Sequence, residues 1–139
     1  MSDKILLIEN VEGVSAKDKI NQKFMWYDHY DGVHIKTEQN EIWFLINNDQ
    51  NCCEEWGYLS SEDDYSEFIG AEYRGYDNIK TGDLDQKLPG TWEEEQGTVF
   101  LNVNTSKGML QFAVYNNHNG WYAHEVLCVV NDKIEEKTI

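Results

Sequence analysis

Residues 97–116, "GTVFLNVNTSKGMLQFAVYN", constrain the fold more than any other stretch. Val99, Leu101 and Val103 alternate with Phe100 and Asn102. Leu110, Phe112 and Val114 repeat the pattern after a short break. A period of two puts each apolar set on one face of a strand. The break, "NTSKG", places Gly108 where a tight hairpin loop needs a left-handed residue. The pair is read as an antiparallel hairpin. "NNHNG" then supplies a second turn at Asn119-Gly120, and "WYAHEVLCVV" reads as a third strand, so the expectation is a three-strand meander.

Other segments carry the same signature. "KILLIEN" opens the chain as a strand or short arm within residues 1–22. Strands are expected near 23–29, 33–37 and 41–47, with Asp31-Gly32 as a strong turn dipeptide and Gln39-Asn40 as a weaker one. "EYRGYDNI", 72–79, reads as a further strand. Residues 80–97, rich in Gly, Asp and Pro, read as a long loop. The tail, 131–139, looks solvated.

One short helix is expected at about 61–69. Ser61 stands as N-cap with Asp64 three residues on, a weak form of the capping box, and Gly70 follows as a stop. At 100° per residue, Tyr65, Phe68 and Ile69 share an arc, while Glu62, Asp63, Asp64 and Glu67 fill the remainder. The fold class is therefore mainly β (α+β): a twisted antiparallel sheet with one helix packed on it. At 139 residues, without a dividing linker or internal repeat, the chain suits a single domain, 1–139.

The charge is uneven. Net charge is −15, from 26 acidic and 11 basic residues. Between Lys36 and Arg74 there is no Lys or Arg, and ten acids: Glu38, Glu41, Asp49, Glu54, Glu55, Glu62, Asp63, Asp64, Glu67 and Glu72. Glu93, Glu94 and Glu95 form a second cluster. Such a balance disfavours direct contact with nucleic acid or an anionic membrane and favours a basic partner. Trp56 and Tyr58 lie inside the acidic interval, as aromatic anchors do within a polar rim. The competing reading is a solvated face that only confers solubility.

Catalytic and metal-binding readings find less support. Cys52 and Cys53 are adjacent, so in a strand they point to opposite faces and do not suit one tetrahedral ion. A site assembled from Cys52 with His118 or His124 would need distant parts of the chain. Cys128 sits in an apolar strand and reads as core. Glu54 and Glu55 would diverge rather than flank one bond. No phosphate-binding loop, dinucleotide fingerprint or zinc-protease motif is present. No cofactor and no metal is expected. The early apolar run, Ile5 to Ile8, is too short for a secretory signal, no segment reaches the length of a membrane span, and three cysteines make no disulfide framework. A reducing, cytoplasmic setting is expected.

Several separated pieces carry a resemblance. Asn51-Cys52-Cys53-Glu54, Phe68-Ile69-Gly70, Ser106-Lys107-Gly108, Asn119-Gly120-Trp121-Tyr122 and Glu125-Val126 resemble an uncharacterised domain family of bacteria and their phages, over roughly residues 40–130. The resemblance implies a fold neighbourhood and a phage or mobile-element setting, with no catalytic residue to carry over. Combined with the charge, it leads to one expectation. The protein is a non-enzymatic, anti-CRISPR-like inhibitor that occupies the basic surface of a host nucleic-acid-binding protein, such as a CRISPR nuclease, as a DNA mimic. Asp49, Glu54, Glu55, Glu62, Asp63, Asp64 and Glu67 would supply the field and Trp56 and Tyr58 the apolar contact. A small-ligand or nucleotide-signal sponge using Lys107, Arg74 or His124 is the alternative, and a metal- or cysteine-dependent enzyme the second. A homodimer through an edge strand or aromatic face is compatible with all three.

Overall fold

The computed structural model describes residues 2–15, 29–48, 55–80, 95–118, 125–131 and 133–139. Among them are the strands β1 (Ile5–Ser15), β2 (His29–Thr37), β3 (Glu41–Asn47), β4 (Glu55–Ser60), β5 (Tyr73–Lys80), β6 (Glu95–Thr105), β7 (Gly108–His118), β8 (Glu125–Val130) and β9 (Lys133–Thr138). They form two antiparallel sheets, one in the order β1-β2-β3-β8-β9 and the other in the order β4-β7-β6-β5. Alternating residues of the two sheets meet in one core. Ile35, Phe44 and Cys128 come from the first sheet, and Leu101, Phe112 and Val114 from the second. The architecture is a β-sandwich, in which each sheet buries its apolar face against the other.

The hairpin of β6 and β7 forms as its alternation requires. Leu101 pairs with Phe112 and Thr105 with Gly108, leaving Ser106-Lys107 as the loop. Gly108 has φ 118°, and Thr105 Oγ1 donates to its carbonyl and accepts from the Lys107 amide.

The third strand of the expected meander goes elsewhere. β8 leaves this sheet and pairs with β3, Phe44 opposite Cys128, and with β9. The reason lies in its composition. "EVLCVV" is apolar on both faces, and the five-stranded sheet is the one buried on both. Its outer side holds a second cluster of Tyr30, Trp43, Leu45, Leu127 and Val129. Uninterrupted apolar strands suit such a central position.

Other expectations are also corrected. Asp31-Gly32 is not a turn but lies inside β2, opposite Ile46 and Leu45. Asp31 Oδ1 instead accepts from the amide of Gly13, at the bulge in β1, and from Asn48 Nδ2. The tail is exposed at Asn131, Lys133, Glu135 and Glu136, as expected, but it also pairs as a strand. Residues 133–138 form β9, Ile139 is buried, and its carbonyl accepts from Asn116 Nδ2 at 3.0 Å. Gln39-Asn40 does turn, between β2 and β3, and Asp3 fastens it, accepting from Thr37 Oγ1, the Gln39 amide and Asn40 Nδ2. The strand expected near 23–29, most of the 80–97 loop and the Asn119-Gly120 turn lie outside the described residues.

The helix expected at 61–69 is absent. Only Ser66–Phe68 makes a single 3-10 turn. A lone helix of this length is marginal, and here its backbone groups find partners on neighbouring strands. The Ser61 amide donates to Gln111 on β7 and that of Gly70 to Ile5 on β1. Ser61 Oγ accepts from the Gln111 amide rather than capping a helix.

Candidate functional site

Residues 61–72 form a strap from β4, at one edge of the four-stranded sheet, to β5, at the other, passing along β1 of the five-stranded sheet. Its inward side chains fix it. Phe68 is buried in the core, and Tyr65 packs against Phe112 at a centroid distance of 6.0 Å. The hydroxyls of Tyr58 and Tyr65 both reach Asn10 Oδ1 on β1, at 2.7 and 2.9 Å. Further along, the Ile5 amide donates to Ala71, the Gly70 amide to Ile5 and the Tyr73 amide to Asp3. The strap thus pairs with the edge of β1 and ties the two sheets together.

Its outward side chains are acidic. Glu62, Asp63, Asp64 and Glu67 are all exposed. The expected division into apolar and acidic sides therefore holds without the helix, except that Ile69 turns outward. Among the described residues, the one Lys or Arg within ion-pair distance of a carboxylate is Arg74, 3.8 Å from Glu72. Among the described residues, no Lys or Arg lies within that distance of the four strap carboxylates. The Ser66 amide donates to Asp64 Oδ1 at 2.9 Å, and this bond holds the Asp64 carboxyl below the usual carboxylate range.

The remaining residues singled out in the sequence are distributed differently. Asp49 and Glu54 lie outside the described residues, and Glu55 begins β4. Trp56 and Tyr58 do not stand out as surface anchors; both are half-buried and pack against the core. The Tyr58 ring stacks on Phe112, and burial, then the neighbouring Tyr65 hydroxyl, pushes its phenol pKa up. The exposed apolar residue of β4 is Leu59, 60% accessible.

Cys128 is buried, and desolvation raises its thiol to about 12, which makes it a core residue rather than a nucleophile. Cys52, Cys53 and His124 lie outside the described residues; Lys107 and Arg74 are exposed. Among the described residues, no group of three His, Cys, Asp or Glu side chains could hold a metal ion, and no helix is long and apolar enough to cross a membrane.

Two clusters escaped the sequence. His34 Nδ1 lies 3.1 Å from Glu9 Oε1 and Nε2 3.0 Å from Glu41 Oε2, with the ring flat on Trp43 at 3.8 Å. The three strands β1, β2 and β3 are clasped through one imidazole. Glu125 is buried at the end of the same sheet face. Burial, then repulsion from Glu136, raises its pKa against the opposing hydrogen bond from Tyr30. Glu9 and His34 are 25 residues apart in sequence, and Tyr30 and Glu125 farther still, so only strand register brings these partners together.

A family model described as "Domain of unknown function (DUF7448)" matches residues 4–128. The match begins well before residue 40 and takes in β1, β2 and the whole strap. No curated protein and no solved structure matches the chain.

Proposed function

The chain belongs to the DUF7448 domain family, and from that premise we propose that it acts by docking, as an acidic, non-enzymatic inhibitor of a nucleic-acid-processing protein. Its strap occupies the cationic surface on which that partner holds nucleic acid. The observation that carries this reading is the exposure of Glu62, Asp63, Asp64 and Glu67 within one six-residue stretch, with no Lys or Arg paired to them among the described residues. Carboxylates that could have been neutralised internally are instead left to water. They cost the fold self-repulsion and provide a field that attracts and orients a cationic partner. A nucleic-acid strand presents one charge per ~3.4 Å, and a run of neighbouring carboxylates offers a comparable density.

The backbone supports a docking role as well. The strap is held at Asn10, Ile5 and Asp3 rather than hanging free. A preorganised charged segment loses less entropy on association than a mobile one. The phage or mobile-element setting implied by the sequence resemblance fits a defence nuclease as partner.

Competition tests the reading. The protein is immobilised, host lysate is passed over it, and bound protein is challenged with duplex DNA and with salt. Release of a nucleic-acid-processing protein by both agents is the expected result. A captured partner that keeps its hold while fully loaded with DNA would overturn the mimicry.

A further inference from the structure

β1 is held from both sides within two residues. Glu9 stands opposite His34 in register, and its Oε1 lies 3.1 Å from His34 Nδ1. Asn10, the next residue, faces the other way. Its Oδ1 accepts from the hydroxyls of Tyr58 on β4 and Tyr65 on the strap. Nearer the start of β1, the Ile5 amide donates to Ala71 and the Ile5 carbonyl accepts from Gly70. Whatever fixes Glu9 therefore bears on the strap.

The imidazole has two partners of one kind. Its Nε2 lies 3.0 Å from Glu41 Oε2 on β3. An ionised carboxylate only accepts, and a neutral imidazole carries a single N–H. Both contacts are satisfied together by the imidazolium, which donates twice in charge-assisted hydrogen bonds. Among the described residues, the charged groups facing the ring are Glu9 from β1, Glu41 from β3 and Lys36, two residues along β2 and opposite Glu41. In line with the ring from β8 and β9 stand Val129 and Ile134, which carry no charge. The ring lies flat on Trp43 at 3.8 Å, and an indole face attracts a cation.

We infer that His34 is a proton-dependent pin for the strap. Carrying both protons, the ring fastens β1 to β3 through Glu9 and Glu41, and β1 in turn steadies the strap through Asn10 and Ile5. Each neutral tautomer keeps one carboxylate and turns a lone pair toward the other, so only one of the two tautomers holds β1. The strap is firmest on the acid side of the ring's titration and loosens on the alkaline side. This adds regulation to the docking reading and rests on it for its use, but the readout needs no partner, so either can fail without the other.

The test follows the full chain by NMR across the titration of the ring. Ring nitrogen signals, assigned by their loss in His34→Gln, report the proton. Amide exchange, divided by the intrinsic rate at each pH, reports the strap. The native chain should lose protection at Ile5 and Gly70, on the order of fivefold relative to Phe44, as the ring gives up its proton. Glu41→Gln replaces an acceptor by a carboxamide that can donate to the neutral ring, which leaves the remaining N–H for Glu9. In that variant the ring should lose its proton at lower pH, and protection at Ile5 and Gly70 should persist through the titration. Glu9→Gln provides the same comparison of the ring from the β1 side. Rings that titrate together in the native chain and both variants would overturn the double donation. Unchanged strap protection in the native chain, an equal loss at Phe44, or the same loss in Glu41→Gln would overturn the link from His34 to the strap.

Discussion

Gly32 lies so close to the backbone of Phe44 that a Cβ at position 32 would overlap the Phe44 carbonyl oxygen and come within 3.0 Å of Leu45 Cα. The glycine is there for close approach of β2 to β3, not for a turn. Gly32→Ala therefore requires backbone movement between two central strands and should cost about 1–3 kcal/mol or more. Gly57→Ala would meet only the ring of Tyr115, at 2.6–2.8 Å, which can swing aside. Chemical denaturation of the two variants should show the larger loss at position 32.

Asn10 is the common acceptor for Tyr58 and Tyr65. Asn10→Ala should cost about 0.5–1.5 kcal/mol, the net worth of ordinary hydrogen bonds in partly exposed positions. The loss should be local. Amide exchange at Phe68 and Gly70, which are held by the strap's own turn and by Ile5, should speed up more than exchange at Phe44.

Two carboxyls should give opposite pH slopes. At Asp3, burial raises the pKa, but hydrogen bonds from Asn40, Thr37 and the Gln39 and Glu38 amides outweigh it, so the net shift is downward from 3.8. Its stabilising contribution is complete above 3.8 and is lost as pH falls through the lower folded-state value. Asp3→Asn should flatten the acid limb of a stability-pH curve. Glu125 is shifted upward from 4.5. Its contribution is complete below 4.5 and is lost as pH rises through the higher folded-state value. Glu125→Gln should make the protein more stable near neutral pH and remove that decline.

His34 joins Glu9 and Glu41 while stacking on Trp43. His34→Leu keeps apolar contact with the indole and removes both hydrogen bonds. Glu9 and Glu41 are half-exposed and can turn to water, so the cost should be about 1 kcal/mol by thermal or chemical denaturation.

The legible part of this fold was local. Alternation in Val99–Val103 and Leu110–Val114, with Gly108 between, specified a hairpin and its buried face. The assignment of β8 to the other sheet was not legible, because an apolar strand such as "EVLCVV" states that both its faces are buried but not by which neighbours. The 61–69 segment shows the same limit. Its apolar and acidic residues were sorted correctly except at Ile69, since Tyr65 and Phe68 do point inward, but the helix gave way to tertiary hydrogen bonds with Gln111, Ile5 and Asn10. Gly32 carried a turn signal that a close strand approach also requires. At the candidate site, exposure of the acids followed from their type. The inward turn of Trp56 and Tyr58 did not, because an aromatic residue serves a core or an interface equally well.

The central claim is that the exposed strap carboxylates hold a cationic partner. Affinity for the captured partner, measured across a range of salt for the native chain and for E62Q/D63N/D64N/E67Q, tests it most directly. The expected result is a loss on the order of tenfold or more at low salt and a shallower dependence on salt for the variant. Equal affinity and an equal salt slope for the two proteins would contradict it.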